Sequence, residues 1–137
     1  MRERTLRILA LLVILAVAGS GGCASLDIIK KRLAPPHPVA GGILFQYEAP
    51  EASIVTLAGD WDENEWGGTA SATGRYDNTI GRMNDDDDDG IWRIVVDLPP
   101  GRYQYKFVVD INTWVTDPSN PDTVNNGGFT NSLLIVK

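Results

Sequence analysis

Lys106 and Trp114 are the residues of this 137-residue chain whose types and spacing most directly suggest chemistry. They sit around a strand signalled by a tight Pro99-Pro100-Gly101 turn and by strict alternation from Arg102 to Asp110. Tyr103, Tyr105, Phe107 and Val109 fall on one face, and Gln104, Lys106, Val108 and Asp110 on the other. The aromatic face can be buried in a core. The other face should be wet, with Lys106 in reach of the Trp114 indole across the short turn Ile111-Asn112-Thr113. A lysine beside an exposed indole makes poor core chemistry. It suits a neutral sugar well: a flat apolar plate for the pyranose face and a donor for its hydroxyls.

Those residues need a rigid support, and the chain supplies short strands with no convincing helix. Ile43 to Glu48 alternates around Ile43, Phe45 and Tyr47. Ser53 to Leu57 turns Val55 and Leu57 inward, and Ile91 to Leu98 carries Trp92, Ile94, Val96 and Leu98 on one side. Arg102 to Asp110, Thr113 to Thr116 and Ser132 to Val136 complete an all-β sandwich. Trp92 opens a strand after a turn and reads as a packing residue. Between Gly67 and Gly90 there is little apolar periodicity apart from Ile80 and Met83, which predicts either a lengthened hairpin or a partly mobile loop. Within that stretch, Asp85, Asp87, Asp89 and Gly90 fit the first half of an EF-hand loop. The twelfth position is Val96 and no helices flank it, so the run reads as solvated charge and no metal site is assigned.

Four stretches taken together resemble a known family. Ala58-Gly59-Asp60-Trp61, Gly90-Ile91-Trp92 through Val109-Asp110, the Trp114 turn, and Asp117-Pro118 with Asn131-Ser132 are similar to the glycogen-binding modules of AMP-activated protein kinase β subunits. The same module, carbohydrate-binding module family 48, is appended to branching and debranching enzymes. The resemblance covers roughly Gly41 to Lys137. It implies an early-set, immunoglobulin-like β-sandwich and α-1,4-linked glucan ligands. It also implies a binding role for Lys106, Trp114 and the asparagine at Asn131, and an inward-packing Trp61. The family places a binding tryptophan about three residues after that aromatic, where Asn64 stands here. A two-residue insertion would let Trp66 supply the sugar platform; in the competing reading Trp66 covers the core and Asn64 is a turn residue. Gly127-Gly128-Phe129-Thr130 replaces the family's leucine-bearing loop, so that Phe129 either substitutes for the apolar contact or belongs to the core.

Catalysis is not expected. No histidine or cysteine lies in the part read as folded, no Gly-x-Ser-x-Gly elbow occurs, and the carboxylates sit in loops rather than facing across a cleft. No cofactor is expected either.

The N-terminus reads as a leader. Arg2, Arg4 and Arg7 precede an unbroken apolar run from Ile8 to Ala18, 11 residues against the roughly 20 that a bilayer span needs. Small residues and the chain's one cysteine follow. Cys23, after Ser20-Gly21-Gly22, resembles the lipidation cysteine of bacterial lipoproteins, although Ser20 stands where a leucine is usual. This reading gives a signal peptide at 1–22, a lipid-anchored linker at 23–40 and a sandwich at 41–137. The expected address is membrane-anchored and exported, at the outer membrane or cell surface. In the linker, Leu26, Ile29 and Leu33 fall at helical spacing, Pro35, Pro36 and Pro38 stiffen the chain, and His37 reads as solvated spacer.

Charge narrows the partners. The whole chain carries 12 basic and 18 acidic residues; without Arg2, Arg4, Arg7 and Glu3 the remainder carries nine and seventeen, a net charge of −8. Such a surface argues against nucleic acid and is indifferent to a neutral polysaccharide. The expected function is non-catalytic α-glucan binding through Trp66, Lys106, Trp114, Phe129 and Asn131, alongside the membrane contact of the lipid anchor. The alternative is a protein-interaction module on the same sandwich, docking an envelope or carbohydrate-active enzyme partner.

Overall fold

The computed structural model describes residues Arg32–Lys137. The leader, Cys23 and the helical spacing of Leu26 and Ile29 lie outside the described residues. Eight strands follow in order: β1 (His37–Val39), β2 (Gly42–Glu48), β3 (Val55–Gly59), β4 (Ile91–Val96), β5 (Gly101–Val109), β6 (Thr113–Val115), β7 (Thr123–Asn126) and β8 (Phe129–Val136). No helix occurs among the described residues. One sheet has the order β1-β2-β4 and the other β3-β5-β8-β7, with β6 also paired to β5. Every pairing is antiparallel. The result is the all-β sandwich that the alternation predicts.

The two sheets bury their apolar faces against each other. Ile43 and Phe45 of β2 meet Val55 and Leu57 of β3, Tyr105 and Phe107 of β5, and Leu134 of β8, with Trp61, Met83 and Leu98 closing the cluster. Phe45 stands edge-on to Tyr105 with ring centroids 5.0 Å apart, and Tyr47 stacks on Phe107 at 4.8 Å. Each such ring contributes about 1.5–3 kcal/mol by leaving water. Trp92 packs against the cluster, and its indole N–H donates to the Ala49 carbonyl at 3.0 Å, which makes it a structural residue.

Four expectations need correction. The folded unit begins before Gly41, because His37–Val39 pairs with β2 in the register Val39↔Gly42. Pro38 is compatible with that strand because β1 is a sheet edge, where one missing ladder donor is tolerated. His37 is therefore a half-buried strand residue, with Nδ1 2.8 Å from the Pro35 carbonyl, and not free spacer.

Second, the stretch after Gly67 is neither a hairpin nor a loose loop. It folds back so that Leu57 N–H donates to the Gly81 carbonyl at 2.8 Å and Met83 N–H to the Val55 carbonyl at 3.0 Å. It thus covers the free edge of β3, a device that keeps an edge strand from pairing elsewhere.

Third, Val108 is not wet: it is fully buried. Its cross-strand partners Thr56 and Trp114 are both engaged by Tyr76 of the folded-back stretch. Finally, the last strand begins at Phe129, so that Asn131 lies within β8 and not before it. That strand pairs with β7, a short polar edge strand that alternation does not reveal.

The acidic run is also more ordered than solvated charge. Asp85 accepts from the backbone N–H groups of Asp89 (3.0 Å) and Gly90 (3.1 Å), and Arg93 reaches Asp89 at 2.8 Å and Asp87 at 3.4 Å. The Arg93 guanidinium holds the Asp89 carboxyl well below the usual carboxylate range, while desolvation pushes Asp85 up. Carboxylate oxygens of Asp85, Asp87 and Asp89 all lie within 4.8 Å of one another, gathered around the charge that Arg93 supplies.

Candidate functional site

Strand β5 changes neighbours at Lys106. Up to Tyr105↔Ser132 it pairs with β8, and from Phe107↔Val115 onward it pairs with β6. On its other side Lys106 stands opposite Ala58 of β3. One register step beyond Tyr105↔Ser132, Asn131 comes opposite Lys106. Period-two alternation then puts Gln104, Lys106, Asn131 and Phe129 on the outward face of the sheet, together with Trp114, the partner of Val108.

On that face a groove of about 830 Å³ opens, lined by Trp66, Thr69, Lys106, Trp114, Asn126, Gly127, Phe129 and Asn131. The volume lies in the range of roughly 300–1,000 Å³ usual for small-ligand sites. All five residues singled out from the sequence are brought together here.

Each is held by a local device. Trp61 folds its ring over Gly59, where a β-carbon would meet the indole, and so turns the chain after β3. Asp60 then locks this corner to β5: Gln104 N–H donates to its carboxylate at 3.0 Å and Asp60 N–H donates to the Gln104 carbonyl at 3.1 Å. Asn64, only 2% exposed, accepts from Gly59 N–H and Gly67 N–H, both at 2.8 Å, and donates to the Leu57 carbonyl at 2.7 Å. It organises the loop and cannot reach a ligand. Trp66 follows with its N–H on the Gly59 carbonyl at 2.7 Å and its backbone at φ 57°, a left-handed conformation uncommon for a bulky residue. That strain costs on the order of 1–3 kcal/mol and directs the half-buried indole into the groove.

The opposite wall is a hairpin. Asn126↔Phe129 brackets Gly127 and Gly128 at φ 58° and 88°, the two positive angles that a tight two-residue turn requires. Phe129 at its tip is 70% exposed. It is therefore groove lining and not core.

At the floor, Asn131 is only 6% exposed, and its amide donates to the Gln104 side-chain carbonyl at 3.0 Å. Gln104 thus orients Asn131, which lines the groove. Trp114 is held from behind by Tyr76, edge-on with centroids 5.9 Å apart, and Tyr76 O–H is 2.6 Å from the Thr56 hydroxyl. The turn before Trp114 is pinned by Asp110, whose carboxylate accepts from Ser53 N–H (2.8 Å) and Ile54 N–H (3.2 Å). Lys106 has no ion-pair partner among the described residues, where the salt bridges belong to Arg93.

Beneath the groove a polar cluster joins β5 and β8 to the segment after β6. Tyr105 O–H donates to Asp117 at 2.8 Å, Asp117 N–H donates to the Ser132 hydroxyl at 2.8 Å, and Asn120 donates to both Tyr105 Oη (3.0 Å) and the Leu133 carbonyl (2.8 Å). Burial pushes the carboxyl of Asp117 above its ordinary value, against the donors that partly restrain it, and raises the Tyr105 hydroxyl also. This cluster occupies the space where β5 exchanges β8 for β6. It ties the segment that follows β6 to β5 and β8.

Sequence reasoning missed Gln104, Tyr76, Thr69 and Asn126 as contributors. Gln104 was visible, since it shares a face with Lys106. Tyr76 was not: it lies in a stretch without periodicity.

Two aromatic plates, a free ammonium, two amides and an exposed phenyl ring form a surface that can stack on and hydrogen-bond a polyhydroxylated ring. None of these groups is a nucleophile poised by a base. The family model described as the glycogen recognition site of AMP-activated protein kinase matches residues 43–137. The chain is 36% identical over 75 residues to protein PTST homolog 2, chloroplastic, of Arabidopsis thaliana, covering 52% of this chain and 14% of that protein. It is 49% identical over 43 residues to the 5'-AMP-activated protein kinase subunit beta-2 of Homo sapiens, covering 31% of this chain and 15% of the subunit. With subunit beta-1 of Sus scrofa it shares 44% over 43 residues, which is 31% of this chain and 34% of the other. The similarity thus spans about a third or less of the length of these relatives.

Proposed function

This chain belongs to the family of the glycogen recognition site of AMP-activated protein kinase, a non-catalytic glycogen-binding family, and from that premise we propose that it binds α-1,4-linked glucan in the groove over β5, β6 and β8 without transforming it. The observation that carries the reading is the convergence of Trp66, Lys106, Trp114, Phe129 and Asn131 on one groove. Trp66 and Trp114 stack on sugar faces, Lys106 and Asn131 hydrogen-bond hydroxyls, and Phe129 adds apolar contact. We infer further, from Arg2 to Cys23 in the sequence, that the chain is exported and held on a membrane by lipid on Cys23. Two or more acyl chains would be needed for stable anchoring. A glucan met there would be external starch, maltodextrin or a cell-surface polymer.

Native-gel mobility of the full chain tests the binding. Retardation in gels containing glycogen or amylopectin, and none in gels containing cellulose, is expected. Equal mobility in all of them would refute the reading. For the anchor, Cys23→Ser should move the protein from membrane to soluble fractions with its glucan retardation unchanged.

A further inference from the structure

A second hollow lies beyond the groove. It has a volume of about 370 Å³ and is lined by Thr73, Arg75, Tyr76, Asp77, Asn78 and Ile111. The two concavities share a wall: Trp114 lines the groove, Tyr76 lines the hollow, and their rings meet edge to face at 5.9 Å. Five of the six lining residues come from the folded-back stretch and one from the β5–β6 turn.

Like the groove, the hollow combines apolar surface with polar side chains, although it has no tryptophan. Tyr76 and Ile111 give apolar surface, while Arg75, Asp77 and Asn78 give donors and acceptors for vicinal hydroxyls. Asp77 is already ordered, accepting from the Thr79 N–H at 2.8 Å and the Thr79 hydroxyl at 2.7 Å, which also holds its carboxyl below the ordinary value. Ile111 is 44% exposed, with its backbone at φ 74°. A β-branched side chain in that conformation is a strained arrangement that a solvated turn would not favour. Both it and Tyr76 are fixed from outside, through Asp110 and Thr56 respectively.

We propose that this hollow is a second sugar subsite, taking glucose units of the same α-glucan chain after it crosses the Trp114–Tyr76 ridge. The inference rests on the glucan reading of the first groove. It makes the ligand a longer chain than one groove can hold, with Arg75 and Asn78 bonding hydroxyls of the distal units and Tyr76 and Ile111 covering a sugar face.

Calorimetric titration of the full chain with maltotriose and with maltoheptaose tests it, alongside an Arg75→Ala/Asn78→Ala variant and an Ile111→Gly variant. The wild type should bind maltoheptaose about tenfold more tightly than maltotriose, the gain expected of one or two extra hydrogen bonds. The double variant should lose that gain while binding maltotriose as the wild type does, and Ile111→Gly should lose part of it. Wild-type affinity of the double variant for maltoheptaose would overturn the second subsite and leave the first groove standing. No binding of either sugar by the wild type would overturn both.

Discussion

The two faces of strand β5 have the same backbone and opposite fates. Inward, Tyr105 and Phe107 are sealed against the other sheet, and their worth is packing. Outward, the same strand offers Gln104 and Lys106, half-exposed, with Val108 covered by Trp114 and by the stretch that carries Tyr76. The first face is finished when the domain folds. The second is left open at the point where β5 changes neighbours, and its side chains are held by others and not packed among them. One strand thus separates stability from recognition residue by residue, and substitutions should respect that division.

The sharpest test is Phe107→Ala. A fully buried ring lost from the core should cost about 3–5 kcal/mol and lower the melting temperature drastically. Across the strand, Trp114→Ala should cost about 2 kcal/mol of glucan affinity, roughly thirtyfold, with circular dichroism unchanged in the β region. If both variants lost binding only in proportion to lost fold, the division between the faces would collapse. Lys106→Met should weaken affinity about tenfold by removing a charged donor while its stem still covers the sheet, and thermal melting should show no loss.

A smaller effect is expected under the groove. Because the folded protein raises the Asp117 carboxyl above its unfolded value, the neutral form is favoured, and Asp117's contribution is full below the ordinary carboxylate pKa. It is lost as pH rises through the raised folded value. The melting temperature of Asp117→Asn relative to wild type should therefore climb as pH increases above about 4. Asp89 has the opposite sign: Arg93 lowers it, so its contribution is present above the ordinary value and lost on acidification. Least of all should the acidic turn matter to binding. Gly/Ser replacement of Asp85 to Asp89 should leave glucan retardation unchanged and lower the melting temperature slightly through the lost Asp85 turn bonds, measured by differential scanning fluorimetry.

Much of this division could be read before the fold was known. Alternation in β5 assigned Tyr105 and Phe107 to the core and Lys106 to the open face, because period two follows from strand geometry alone. The family motifs brought forward Trp66, Trp114, Phe129 and Asn131, which converge on the groove. What alternation could not show was a cover built from outside the strand. Val108 broke the polar pattern of its face, yet nothing near it in sequence explained why. The explanation lies in Tyr76, more than thirty positions earlier, in a stretch whose order comes from backbone bonds to β3 and not from hydrophobic periodicity. β1 and β7 escaped for a related reason: each is an edge strand of three or four residues, too short for a period to register.

The β1–β2 ladder has a mechanical meaning. The described chain enters the sandwich at the edge of the three-stranded sheet, through three residue pairs, whereas the groove opens on the outward face of the other sheet. A pull on the N-terminal side is borne first by β1, which can unzip pair by pair from His37↔Leu44 to Val39↔Gly42. The ladders that set Lys106, Trp114 and Asn131 lie beyond the core from that load. Tension on the chain would thus be spent on peeling β1 from β2 before it could widen the groove.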